Sequence, residues 1–152
     1  MDLPLQPPPP PTEVRKKLAD RPDRRRTEHL ERLLAIAEGR RPATMRLPIR
    51  ALAVGRRLCI LALAHECFAD YQLYVERVSP FPHNLVFAYT NGVECYGATA
   101  KDYRRGEAGG YEAAPAGAAA RYEVATPPAP RAEGLIKRAI GRVLGAVGKD
   151  AR

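Results

Sequence analysis

Glu66 and Tyr96 are the two residues whose types and positions suggest chemistry. Glu66 follows the continuously apolar run 58–64 across a single residue, and Tyr96 follows a second apolar run, 85–89, a few residues after Asn91-Gly92. In an α/β sheet, ligands gather at the carboxyl ends of the strands. If the two runs are parallel neighbours, both side chains emerge at one edge although thirty positions separate them. A carboxylate and a phenolic oxygen brought together there suit a hard or borderline cation such as zinc. Two plainer readings stand beside this one. Glu66 is also what the first turn of the following helix would favour on its dipole, and Tyr96 can be an ordinary rim aromatic. A hairpin turning at Asn91-Gly92 would instead place Tyr96 along a ladder and aim it away from Glu66.

The elements that must position this pair are legible from periodicity. Leu47, Ile49, Ala51 and Ala53 alternate as a half-buried strand, and the run 58–64 reads as a fully buried one across Gly55-Arg56-Arg57. Phe68, Tyr71, Val75 and Val78 recur at helical spacing over 67–78, and Ser79-Pro80-Phe81-Pro82 ends that helix. The order strand, strand, helix, strand predicts an α/β fold, a small sheet of about three strands or more with flanking helices and a right-handed crossover through 67–78.

Around this core, taken as 46–104, the chain divides further. Residues 1–11 read as a proline-rich leader in polyproline II, because Pro7 to Pro11 cannot join a helix interior or a sheet. Residues 12–45 read as two surface helices. Thr12 is the expected N-cap of the first, which carries Val14 and Leu18; the second runs over about 24–38 with Leu30, Leu33, Leu34 and Ala37 on one face and Gly39 as its stop. Residues 105–130 are rich in Gly, Pro and Ala and read as irregular. Residues 131–148 form an amphipathic helix with Lys137, Arg138 and Arg142 opposite its apolar stripe, expected to dock on the sheet rather than on a membrane.

The chain has 152 residues, 45% of them hydrophobic, and a net charge of +8. The charge is uneven: residues 1–60 carry 14 basic against 7 acidic groups, 61–100 carry 1 against 4, and 101–152 carry 10 against 6. The densest basic run, Arg24 to Arg26, has no aromatics interleaved with it, so a solvated helix face is expected and no nucleic-acid partner. No run approaches the ~20 apolar residues that cross a bilayer, and Met1-Asp2 leads into proline rather than into a signal peptide. The chain thus reads as cytoplasmic as written. Cys59, Cys67 and Cys95 are too few and wrongly spaced for a disulfide framework or a zinc ribbon, and are expected to be reduced packing residues.

The segment LPIRALAVGRRLCILALAHECFADYQLYVERVSPFPHNLVFAYTNGVECYGATAKDY, Leu47 to Tyr103, resembles the C-terminal part of the neutral/alkaline non-lysosomal ceramidase domain, especially its bacterial relatives. In family order stand the strand ending in Glu, the helix, Ser-Pro-Phe, Tyr-x-Asn-Gly and Tyr-x-x-Thr-x-x-x-Tyr. The upstream LPLQP and the downstream GGYE and PAPRAEGLIKRAI also fit, so the similarity runs loosely from Leu3 to about Val147. The resemblance implies a zinc-dependent amidase acting on N-acyl amides of ceramide-like lipids, its metal held by two histidines, a glutamate and a tyrosine. Glu66 matches the glutamate ligand, and Tyr96 matches the tyrosine, which can also support the developing oxyanion.

The departures are specific. The family's two histidine ligands and its serine-bearing segment belong to a part of the domain that precedes the region matched here, so the partner implied is that missing N-terminal part, and the chain alone is expected to be inactive. His29 and His83 match neither ligand. His65 stands where relatives have a small residue, expected either to crowd the metal or to join it; Val93, Glu94 and Cys95 are unusual before Tyr96. The alternative function is a non-catalytic protein-binding module derived from the same fold.

Overall fold

The first six residues are part of the folded body. In the computed structural model, which describes residues 1–115, 122 and 124–150, strand β1 (Asp2–Pro4) pairs antiparallel with β2 (Thr44–Arg46). Gln6 N–H donates to Pro127 C=O at 2.8 Å, and Ala129 N–H donates to Pro4 C=O at 2.8 Å. The expected leader over 1–11 is therefore corrected to begin after Gln6. Leu3 and Leu5 alternate with Pro4, and both are buried, so the period-two pattern seats them in the core before the prolines begin.

Between these strands lie α1 (Pro11–Ala19) and α2 (Arg24–Ala37). The expected cap at Thr12 is also corrected: the N-cap of α1 is Pro10, two residues earlier, with Pro11 as the first helical residue and no side-chain cap. Proline suits that position because its missing N–H would be unpaired there anyway. Helix α2 is capped by Asp23, whose carboxylate accepts from Arg26 N–H at 2.9 Å, and it ends where Gly39 takes φ +71°. Leu30, Leu33 and Leu34 pack with Val14 and Ala125 in a small core of their own.

The central unit follows. Strand β3 (Ile49–Val54) pairs antiparallel with β4 (Leu58–Leu63). A short β5 (Glu66–Cys67) then leads into α3 (Asp70–Val78) and β6 (His83–Phe87), which lies parallel to β4, so the sheet order is β3-β4-β6. Strand β7 (Tyr96–Gly97) pairs in parallel with β5, and α4 (Ala100–Arg105), a 3-10 turn (Gly106–Gly109) and α5 (Ala132–Asp150) complete the chain. The fold is α/β, with the parallel pair and intervening helix that the sequence predicts. Helix α3 begins at Asp70 rather than at 67, and Leu47-Pro48 divides the first expected strand into β2 and β3. Part of the segment expected to be irregular, 116–121 and 123, lies outside the described residues.

One face of the three-stranded sheet carries Cys59, Leu61 and Leu63, buried with Ile136, Ile140 and Leu144 of α5 and with Tyr71 and Val75 of α3. Each fully buried aliphatic side chain contributes about 1.5–3 kcal/mol, which outweighs the helix-propensity cost of about 1 kcal/mol for each of Gly134, Gly141 and Gly145. The opposite face is bare. Leu52, Val54, Leu85 and Phe87 are each about half exposed or more, and Leu52, Ile60 and Leu85 stand in one row across the strands. Among the described residues, no helix is long and apolar enough to cross a membrane.

Candidate functional site

His65 decides where Glu66 goes. It takes φ +69°, a left-handed conformation uncommon for a residue with a Cβ, and turns the chain out of β4 just before β5. Its imidazole is buried and holds that turn in place. Nε2 lies 2.8 Å from Arg46 C=O, and Nδ1 accepts from Glu94 N–H at 3.1 Å. A carbonyl can only accept and an amide N–H can only donate, so the proton sits on Nε2 and the ring is neutral. His65 therefore neither crowds nor joins a metal at Glu66; both of its nitrogens are committed to backbone, of β2 and of the segment before β7.

The loop after β6 completes the turn. Tyr89 N–H donates to His65 C=O at 2.8 Å, and His65 N–H donates to Gly92 C=O at 2.8 Å. With Tyr89 and Asn91 at φ +60° and +61°, residues 89–95 cross beside the exit of β4 instead of folding back as a hairpin. Glu66 N–H then donates to Cys95 C=O and Phe68 N–H to Gly97 C=O, at 3.1 and 3.0 Å, and Glu66 and Tyr96 become register partners. Both sequence-predicted site residues thus meet at one edge. Glu66 lies outside the first turn of α3, so that plainer reading of it is removed.

Two features hold this ladder tight. A Cβ at Gly97 would lie 3.1 Å from Cys67 Cα and 2.8 Å from its Sγ, so only glycine admits this approach. The Tyr103 hydroxyl donates to Tyr96 C=O at 2.6 Å and accepts from Ala98 N–H at 3.1 Å, while the Tyr71 hydroxyl donates to Ala98 C=O at 3.2 Å. Cys67 is half-buried by its surroundings and its thiol, pushed up to about 12 by burial, donates to Ala64 C=O. It is a packing residue rather than a nucleophile.

Around the pair stand two further tyrosines. The Tyr122 hydroxyl donates to Glu66 Oε2. The Tyr96 ring meets Tyr122 edge-on at 5.0 Å between centroids and Tyr111 at 5.7 Å. Tyr96 is buried, whereas Tyr111 is 62% exposed, so the cluster opens to solvent on the Tyr111 side. The Tyr96 hydroxyl is held above the ordinary phenol range, first by burial, then by its hydrogen bond with Tyr111 and by the negative charge of Glu66. The site thus presents the Glu66 carboxyl group beside a Tyr96 phenol that burial keeps protonated, one acceptor and one potential donor.

Glu66 and Tyr96 bring two oxygen-bearing side chains to paired register positions. Among the described residues, no three His, Cys, Asp or Glu side chains form a group able to hold a metal ion. A zinc site normally draws at least three ligands from protein. His29, in α2, and His83, at the start of β6 beside Arg57, are remote in the chain order of elements and join neither residue in any hydrogen bond among those described. Sequence reasoning missed Tyr122, a lone aromatic in an alanine-rich stretch, and gave Tyr111 no role of its own. No protein-family model matches the chain, and no curated protein or solved structure matches it either.

Proposed function

We propose that this chain is the C-terminal portion of a ceramidase-like, zinc-dependent amidohydrolase acting on N-acyl amide bonds of lipid substrates, and that it contributes Glu66 and Tyr96 to the metal site. The observation that carries the reading is the register pairing of these two residues at one sheet edge. Zinc, when bound, would polarise an amide carbonyl and make a water more acidic. The chain's own residues have defined tasks beside it. Tyr122 fixes the orientation of the Glu66 carboxylate, and the neutral Tyr96 hydroxyl can donate toward an oxyanion. The remaining ligands would come from a histidine-bearing polypeptide, so this chain alone is inactive.

The bare face of the β3-β4-β6 sheet supports such a partner. Leu52, Val54, Leu85 and Phe87 form an apolar surface, with the exposed Arg50, Arg56 and Arg57 around it. Sheets with parallel strands are ordinarily covered on both faces. The occupant that fits is a polypeptide layer with an apolar face and acidic flanks; a second copy of this chain would set arginine against arginine. The same face favours the second reading, a non-catalytic binding module. The two differ in whether the bound polypeptide brings histidines to Glu66.

The test is hydrolysis of an N-acylsphingosine by the purified chain alone and after extension with the coding segment upstream of Met1. The enzyme reading expects no turnover above background from the chain alone, and zinc-dependent turnover from the extended protein that Glu66→Ala abolishes. An upstream segment without histidines, or turnover indifferent to Glu66→Ala, would defeat it.

A further inference from the structure

A cleft of about 410 Å³ lies between α2, the residues following it, β2 and the segment 124–125. Its apolar lining is Leu5, Ile36, Met45 and Val124, and its charged lining is Arg32, Arg41, Arg46 and Glu94. Three guanidinium groups against one carboxylate leave it positive. Three arginines elsewhere are paired, Arg15 and Arg40 with Glu38 and Arg24 with Glu28. Arg32, Arg41 and Arg46 form no ion pair among the described residues, and Arg32 Nε is buried without a hydrogen-bond partner. A buried donor left unpaired is uncommon in folded proteins and marks a place where an acceptor belongs. Arg46 and Glu94, both in the lining, are also tied to each other, because the His65 imidazole links Arg46 C=O to Glu94 N–H.

We propose that this cleft binds an oxyanion, a carboxylate or a phosphate monoester, carrying a short apolar group. Arginine is suited to the head because its planar fork matches the geometry of both anions. The apolar group lies against Leu5, Ile36, Met45 and Val124, and the volume is in the range of small-molecule sites, about 300–1,000 Å³. The inference stands independently of the metal reading, since none of Glu66, Tyr96 and Tyr122 lines the cleft.

Calorimetric titration of the purified chain with octanoate, octyl phosphate, octanol and inorganic phosphate tests it. Octanoate and octyl phosphate are expected to saturate one site. Octanol, which lacks the charge, and inorganic phosphate, which lacks the tail, are expected to bind at least about tenfold more weakly. Arg41→Ala and Arg46→Ala replace exposed side chains, so a thermal melt should remain as in the parent while octanoate affinity falls by about tenfold in each. Glu66→Ala should leave that affinity unchanged. Octanol binding as tightly as octanoate, inorganic phosphate binding as tightly as octyl phosphate, undiminished affinity in both arginine variants, or the lack of saturable binding would each overturn the proposal.

Discussion

Glu66 and Tyr96 are Cα partners in a parallel ladder of two residues per strand, and the Tyr122 hydroxyl donates to the Glu66 carboxylate from a third segment of the chain. The ladder is too short to be stable by its own hydrogen bonds. It persists because His65, Tyr71 and Tyr103 fasten the backbone on either side of it.

Tyr122→Phe removes the donor to Glu66 and keeps the ring that meets Tyr96. A hydrogen bond to a charged group contributes about 1.5–3 kcal/mol when shielded, and Glu66 is only partly buried, so a loss of about 1 kcal/mol is expected in urea unfolding. Glu66→Gln retains an acceptor for Tyr122 and should cost less. If Tyr122→Phe leaves stability unchanged, the hydroxyl does not hold the carboxylate in solution.

Gly97→Ala places a methyl group against Cys67. Overpacking of a filled site costs about 1–3 kcal/mol, and here the obstruction is partly backbone, at 3.1 Å from Cα, and partly the thiol, at 2.8 Å. Cys67→Ala in the same background should therefore recover part of the loss and no more. Complete rescue, measured by denaturant midpoint, would show that the backbones need not approach so closely.

Tyr71, Tyr96 and Tyr103 are all raised above the usual phenol range, in each case chiefly by burial. A raised acid keeps its proton in the folded state after the unfolded chain has lost it, so its stabilising effect is complete below about pH 10 and diminishes above it. Unfolding free energy should accordingly decline as pH rises beyond about 10. Absorbance titration should show late-ionising tyrosines, and Tyr96→Phe should remove one of them. An early titration of all tyrosines near pH 10 would contradict the burial of this cluster.

Leu52→Asp and Phe87→Asp change exposed residues on the bare sheet face. Surface changes of this kind usually alter stability by no more than about 0.5 kcal/mol. They should leave the melt nearly unchanged while weakening binding of the upstream histidine-bearing polypeptide supplied in trans, read by calorimetric titration. A large drop in melting temperature would mean that the face is covered within the folded chain.

The parts of the fold that follow one local rule were legible in the residues. The run 58–64 and the shorter run around Leu85 were legible as strands, and the intervening Tyr71 and Val75 stripe made the parallel connection the natural one; their expected full burial is corrected, since β4 is buried on one face only and Leu85 and Phe87 of β6 stand about half exposed. That was sufficient to bring Glu66 and Tyr96 together. Less legible were features that depend on distant partners. Leu3 and Leu5 look unremarkable before five prolines, and their burial arises from β2 and from residues 127–129, more than a hundred positions away. Thr12 was the better cap by type, yet Pro11 took the first turn. His65 stood beside a candidate ligand, and its real task, joining Arg46 to Glu94, required knowing that three separate segments converge there. Tyr122 had no pattern of its own, being a single aromatic among alanines.

The central claim is that Glu66 and Tyr96 are two ligands of one cation, and the most direct measurement is a zinc titration of the purified chain followed by ultraviolet difference absorbance. The account predicts weak binding, because two protein ligands are fewer than a zinc site normally uses. It also predicts a tyrosinate band that grows with zinc well below the pH at which the buried Tyr96 would ionise unaided, since ligation favours the deprotonated donor. Both the band and the binding should disappear in Tyr96→Phe, and Glu66→Ala should weaken binding while lowering the melt of the metal-free protein about as much as Tyr122→Phe does, since it removes the same hydrogen bond. Zinc binding that produces no tyrosinate signal and persists in both variants would contradict the claim.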